Sequence, residues 1–355
     1  MFNPEQPKDK NTKILKSNCK ALEKLLTAHT RLMIVSHENP DGDAVGSALA
    51  LKLMLHRLGK EASVWLPGRF PAYYRWLSSS DTIRYLSEQP EAFLKELAET
   101  EVLIGVDLSS LSRTGKMAIH FTGFTGKRVL IDHHIDPEES EFNLVFSDVT
   151  VSSTSELICH IFEALGWDKH MDRPVAEALY TGIMTDTGSF SFNCNSPKTY
   201  EVTGKLIHNG VVPDRVHKLV YDNNTEGRIR LLGYALHKMQ VLHDFRTAFI
   251  ALDKDELEKN RSQVGDTEGI VNFALSIKGI ILAAFFSIRD GEVKISFRSK
   301  GTFSVNEFAR RHFNGGGHRN AAGGSFNGSL KQAVELFESL LPEYKTELER
   351  DEIYR

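Results

Sequence analysis

Between His37 and Asp43 the chain places one imidazole and three carboxylates, those of Glu38, Asp41 and Asp43, at the end of the apolar stretch Leu32-Met33-Ile34-Val35. Carboxylates crowd in this way where a cation offsets their mutual repulsion. The glycine between Asp41 and Asp43 is expected to let the backbone curl so that both side chains face one point. Three later segments again set Asp or His directly after an apolar run: Val106-Asp107, Ile131-Asp132-His133-His134 and Thr185-Asp186. A single Asp after a strand is usually a turn or N-cap residue. Four such segments in one chain point instead to a hydrolase that uses two metal ions. Asp and His together make a mixed hard and borderline donor set, which suits Mn²⁺ better than Ca²⁺ or a closed zinc site. Two ions held close together also need a carboxylate that they share.

The elements that must position these residues follow from hydrophobic periodicity. Apolar runs at 31–36, 62–66, 102–107 and 128–132 read as strands and alternate with helical patterns, as in an α/β layer built on a parallel sheet. Ligands of such sheets bind beyond the carboxyl ends of the strands, so His37, Asp41, Asp43, Asp107 and His133 are expected to converge on one edge. A helix is predicted from Ala44 to Leu58, closed by Gly59, and another from Pro174 to Thr185, which delivers Asp186. The stretch 196–240 is helical and more polar, broken at Asn223-Asn224, with a connecting helix from Arg228 to Leu242. From Arg246 the pattern changes to a strand at 247–252, a helix from Thr267 to Ile277 and strands at 281–288 and 292–298 joined at Asp290-Gly291. A helix at 305–312, a glycine-rich loop, a further strand and a terminal helix from Leu330 follow. The expected organisation is an N-terminal α/β domain over 1–225, a connector over 226–245 and a smaller α+β domain over 246–355, with a cleft between the domains.

At 355 residues the chain is long for one core. With 43 Lys and Arg against 47 Asp and Glu it has no basic footprint for long duplex nucleic acid. Its three cysteines form no CxxC pair, which argues against a disulfide scaffold or zinc-thiolate site and for a reducing cytoplasm. No secretory signal is expected at the N-terminus, and no apolar run is long enough to span a bilayer. Basic charge gathers late: from Arg289 to Arg319 there are seven basic residues against three acidic ones. There Gly315, Gly316 and Gly317 are expected to offer backbone amides to a phosphate. Arg298 and Lys300, at a strand end, suit a terminal phosphate, and His318 suits phosphate or a stacked base. The run Ser152–Ser155 before Glu156 reads as a helix N-cap, and Phe190 and Phe192 read as core.

The segments His37-Glu38-Asn39-Pro40-Asp41-Gly42-Asp43, Asp107, Asp132-His133-His134 and Asp186 resemble the four motifs of the DHH phosphoesterase superfamily. Gly315-Gly316-Gly317-His318-Arg319-Asn320-Ala321-Ala322-Gly323 resembles the signature of its associated C-terminal domain. Length and layout are most similar to the stand-alone NrnA-type branch. The resemblance implies that His37, Asp41, Asp43, Asp107, His133 and Asp186 ligate two Mn²⁺ ions, with Mg²⁺ or Co²⁺ as substitutes and Asp107 as the bridge. It implies catalytic roles for Asp107, for His134 beside the scissile phosphate and for Asp132, which would orient the histidines. Arg298, Lys300, Gly315, Gly316, Gly317 and His318 would bind substrate. The implied activity is hydrolysis of short oligoribonucleotides to 5′-mononucleotides and of 3′-phosphoadenosine 5′-phosphate (pAp) to AMP. Cyclic di-AMP or pApA, and inorganic pyrophosphate or polyphosphate, are the alternative substrates; a nucleotide-binding regulator without turnover is the alternative from another class. Expected partners are short RNA and small nucleotides, with neither long duplex nor membrane, and the layout is compatible with a homodimer.

Overall fold

In a computed structural model, which describes residues 8–350 apart from 264 and 290, the chain divides between Asn223 and Asn224 into two units. The first contains the strands β1 (Arg31–Val35), β2 (Glu61–Leu66), β3 (Arg84–Tyr85), β4 (Val102–Val106), β5 (Lys127–Asp132) and β6 (Leu144–Ser147). Its helices are α1 (Lys8–Ala28), α2 (Gly42–Arg57), α3 (Pro90–Glu99), α4 (Thr154–Leu165), α5 (Arg173–Asp186), α6 (Pro197–His208) and α7 (Pro213–Tyr221). The six strands form one sheet in the order β3-β2-β1-β4-β5-β6, and every neighbouring pair is parallel.

Strand alternation sorts this unit into layers. Leu32 and Ile34 of β1, Val102, Ile104 and Val106 of β4, and Val129 and Ile131 of β5 pack into one core with α2, α4 and α5. Met33, Val35, Leu103 and Leu130 point the other way and meet Phe93 of α3 and the 3₁₀ segment Leu111–Phe121. Both faces are covered, which is why these strands read as unbroken apolar runs. Chain order reverses at β1, flanked by β2 and β4. Beyond the carboxyl ends of two strands that diverge in this way a crevice is left, the usual ligand site of an open parallel sheet.

Helices α2 and α5 cross closely because glycines face the contact. A Cβ on Gly46 would collide with the carbonyl oxygen of Ala178, and one on Gly182 with the side chains of Ser155 and Asp43. Gly42 plays the same part against Thr185. Its expected role as a curl is thereby corrected: it is the first residue of α2 and does not have a positive φ.

The second unit holds α8 (Glu226–His237), β7 (Gln240–Leu242), β8 (Thr247–Leu252), α9 (Lys254–Lys259), α10 (Ile270–Ser276), β9 (Leu282–Arg289), β10 (Glu292–Ser299), α11 (Val305–His312), β11 (Gly316–His318), β12 (Ala321–Phe326) and α12 (Leu330–Leu348). Its sheet runs β11-β12-β10-β9-β8-β7, parallel at β8–β9 and antiparallel elsewhere. Phe249, Phe286, Phe297 and Phe337 fill one face, and Ala248, Ile250, Ala283 and Phe285 the other. The expected connecting helix stops at His237, and 240–242 is a strand. Leu231 and Ala235 of α8 are fully buried in this unit's core, so the segment is structural and not a free linker. The helix expected from Thr267 is shorter, because Gly269 at φ +78° sets its start. Asp290 lies outside the described residues; the strands on either side of it pair from Arg289 to Glu292. Cys19, Cys159 and Cys194 are buried and in no disulfide. Among the described residues no helix is long and apolar enough to cross a membrane.

Candidate metal centre

The carboxyl ends of β1, β4 and β5 present His37, Asp107 and the pair His133-His134. Ser36 ties the first two ends together by donating from Oγ to the Val106 carbonyl at 2.8 Å. Asp107 leaves β4 at φ +56°, a left-handed conformation that a non-glycine residue adopts at some cost and that is concentrated at functional sites. Its amide still donates to the Ile131 carbonyl at 3.0 Å, which holds the turn against β5. Asp41 caps α2, accepting from the amides of Asp43 and Ala44, so Asp43 enters from the first turn of that helix. Asp186 is the last residue of α5, the helix whose glycine contact brings it against α2.

These residues meet in two groups that share one carboxylate. His37, Asp41 and Asp107 have ligand atoms within 4.8 Å of one another, as do Asp43, Asp107 and His133. Oδ2 of Asp107 lies 3.5 Å from His37 Nε2, and its Oδ1 lies 3.7 Å from His133 Nε2. Asp186 joins the second group at 3.3 Å from His133 Nε2, with Asp43 at 3.9 Å from the same nitrogen. His37 Nδ1 is 2.9 Å from the Glu38 carbonyl. Only a donor fits there, so in the neutral ring the lone pair sits on Nε2 and faces the carboxylates.

The electrostatics of the cluster match a cation site. Asp43, Asp107, Asp132 and His133 are at most 3% exposed. Burial pushes the Asp43 carboxyl well above the usual carboxylate range, and the neighbouring Asp107 and Asp186 push it further. Burial would also raise Asp107, but the nearby imidazoles of His37, His134 and His133 outweigh it and hold the carboxyl below its ordinary value. His37 is raised: burial opposes its protonation, and Asp107 and Asp41 prevail. Buried carboxylates this close together are costly unless a positive charge is shared among them. The oxygen and imidazole donors present fit divalent metal ions.

Asp132 and His134 form a pair behind the two groups. The carboxylate accepts from His134 Nδ1 at 2.7 Å and from the His134 amide at 3.2 Å. Sequence reasoning missed Thr154 and Ser155. Their amides donate to the two oxygens of Asp43 at 2.6 and 2.9 Å, and Thr154 Oγ1 donates to Asp107 Oδ1 at 3.0 Å. The signal was the Ser/Thr run ahead of Glu156, which does cap α4 through Ser153 but also serves the centre.

In the second unit, Arg298 and His318 lie in register, each opposite Ala321 of β12. Lys300 is depressed by partial burial and by Arg246. The glycine segment differs from an open phosphate cradle. Gly315 donates its amide to the Ala309 carbonyl and Gly317 to Asn306 Oδ1, and residues 316–318 are a strand. A Cβ on Gly315 would strike the Gly323 carbonyl, so this glycine lets two strands pack closely. The Gly315 and Gly317 amides are thus engaged within the unit.

Fold and centre together define an α/β protein with a buried carboxylate and imidazole cluster able to hold metal at the carboxyl edge of a parallel sheet, followed by a separate α+β unit. The chain belongs to the DHH family: residues 31–183 match its N-terminal domain and residues 255–343 match the DHHA1 domain. It is 29% identical to the bifunctional oligoribonuclease and PAP phosphatase NrnA of Thermus thermophilus over 313 residues, 86% of this chain and 87% of that one. The Bacillus subtilis protein of the same name is 28% identical over 308 residues, 86% of this chain and 92% of that one. A crystal structure of an exopolyphosphatase-related protein from Bacteroides fragilis is 36% identical, with a TM-score of 0.89 over 94% of this chain and 98% of that chain.

Proposed function

We propose that the protein is a two-metal phosphoesterase that hydrolyses short oligoribonucleotides to 5′-mononucleotides and pAp to AMP. The observation that carries this reading is the sharing of Asp107 between two donor groups, one oxygen facing His37 and the other facing His133. His37, Asp41 and Asp107 would hold one ion, and Asp43, Asp107, His133 and Asp186 the other. Mn²⁺ suits the mix of carboxylates and imidazoles. When bound, two such ions acidify a water molecule and offset the charge that develops on the phosphoryl oxygens.

The residues of the chain supply the rest. Asp107 sets the spacing of the two groups. His134, held at Nδ1 by Asp132, carries a proton toward the leaving oxygen as its bond to phosphorus breaks and the water oxygen bonds to phosphorus. Arg298, Lys300 and His318 of the second unit recognise the nucleotide, by charge at phosphate and by stacking at the base. The similarity to the two NrnA proteins, named as oligoribonucleases and PAP phosphatases, supports this substrate class.

The test is product analysis with Mn²⁺ on pAp, RNAs from dinucleotides to long oligomers, pApA, cyclic di-AMP and inorganic polyphosphate. AMP from pAp and mononucleotides from the shortest RNAs are expected, with rates falling as the RNA lengthens. Phosphate release from polyphosphate alone would overturn the nucleotide reading and align this chain with the name of its Bacteroides fragilis relative.

A further inference from the structure

We infer that Thr154 is a positioning residue of the centre: its hydroxyl sets the bridging carboxylate of Asp107 while its amide, with that of Ser155, sets Asp43. The inference rests on the two-metal reading above.

The N-terminus of α4 is spent on this task. A helix begins with amides that have no partner within it. Here the amides of Thr154 and Ser155 donate to Asp43 Oδ2 and Oδ1, and that of Glu156 to the Ser153 hydroxyl at 3.0 Å. Asp43 is therefore gripped at both oxygens by a rigid element remote in sequence. The same residue reaches the other shared ligand, since Thr154 Oγ1 donates to Asp107 Oδ1, the oxygen that faces His133. Thr154 is fully buried, so water does not replace the bond when the hydroxyl is lost. Asp107 needs such a guide. Its backbone sits at φ +56°, and a carboxylate rotates freely enough that two ions placed by one side chain require its plane to be fixed.

The first turn is itself held from behind. Glu156, 1% exposed, accepts from the amide and hydroxyl of Ser152 and from Thr199 Oγ1 of α6. Asn193 Nδ2 also donates to the Ser152 carbonyl at 3.1 Å. Hydrogen bonds thus anchor the capping segment to α6 on one side, while Thr154 within that segment holds the bridging carboxylate on the other.

The test compares Mn²⁺ binding by calorimetry to metal-free wild type, Thr154→Val and Thr154→Ser. Valine keeps the shape and removes only the hydroxyl; serine restores it. Thr154→Val should weaken Mn²⁺ affinity by about tenfold or more, the usual effect of removing a hydrogen bond to a metal ligand, and Thr154→Ser should recover most of it. Should valine not be accommodated in the fold, Thr154→Ala against Thr154→Ser isolates the same hydroxyl. Affinity that is equal with and without the hydroxyl would overturn the inference while leaving the two-metal reading in place. Wild-type protein that shows no saturable Mn²⁺ binding would instead sink the reading on which it rests.

Discussion

Asp132 and His134 are joined twice, through the His134 ring nitrogen Nδ1 at 2.7 Å and through the His134 amide at 3.2 Å. Two bonds between residues two positions apart fix both the backbone and the ring of His134. The carboxylate is wholly buried, so the imidazole keeps one orientation and one donor at Nδ1, and proton exchange falls to Nε2. Asp132→Asn should retain the fold and the metal content and lower kcat by about 10- to 100-fold. His134→Ala should do the same. Metal analysis of the His134 variant checks the assignment: a lost equivalent of Mn²⁺ would make His134 a ligand.

Asp107→Ala should reduce turnover to below about a tenth of wild type and lower Mn²⁺ stoichiometry, because both groups lose a donor at once. Circular dichroism should show the sheet intact. A folded variant with two equivalents of Mn²⁺ and near-normal rate would remove Asp107 from the bridge.

The crossing of α2 and α5 can be loosened without touching a ligand. Gly46→Ala sets a methyl against the Ala178 carbonyl, and this should destabilise the protein by about 1–3 kcal/mol, the range for overpacking. Because Asp43 and Asp186 ride on these two helices, Mn²⁺ affinity should drop as well. Urea unfolding and a metal titration on the same sample measure both effects.

Much of this was legible in the sequence because strand ends and apolar periodicity are local properties. The ends of β1, β4 and β5 and the end of α5 fall where the apolar runs break, so the set from His37 to Asp186 could be drawn up before any geometry. What stayed hidden is carried by the backbone and by close packing. The amides of Thr154 and Ser155 bind a residue more than a hundred positions away, and residue types do not record where an amide points. Gly42 was misread for a related reason: its value lies in the Thr185 side chain it lets approach, not in its own torsions. The amides of Gly315 and Gly317 were taken as open, but Ala309 and Asn306 lie against them only once the hairpin is folded.

Glu156 gives the fold a pH dependence of known sign. Burial opposes its ionisation, yet the nearby His160 and the hydrogen bonds from Ser152 and Thr199 outweigh it and hold the carboxyl below its ordinary value of 4.5. The ionised group is therefore favoured in the folded state. Its contribution is complete above 4.5 and is lost as the pH falls through the lower folded value. Glu156→Gln should cost about 1–3 kcal/mol at neutral pH, and the gap to wild type should narrow on acidification. Denaturant melts across that range would contradict the assignment if the gap stayed constant.

If Arg298 and His318 recognise the nucleotide as proposed, the choice of substrate separates their role from that of the metal cluster. Arg298→Ala or His318→Ala should weaken hydrolysis of pAp or dinucleotides by about 1–3 kcal/mol in kcat/KM, the scale of a charged hydrogen bond or a base stack. Bis-p-nitrophenyl phosphate, which offers no base, should be affected far less. Equal losses on both substrates would mean that these residues shape the metal centre itself.

The grip of α4 on Asp43 joins residues 111 and 112 positions apart, and the tie from Ser36 to Val106 spans 70. The junction of β1 and α2 brings His37, Asp41 and Asp43 together locally, but Asp107, His133 and Asp186 reach them only through distant segments. Long-range pairings of this kind form late, after the entropy of closing the intervening loops has been met. Uptake of Mn²⁺ during refolding would therefore lag behind the recovery of helical signal, and its rate would time the final docking of α4 and α5 onto the sheet.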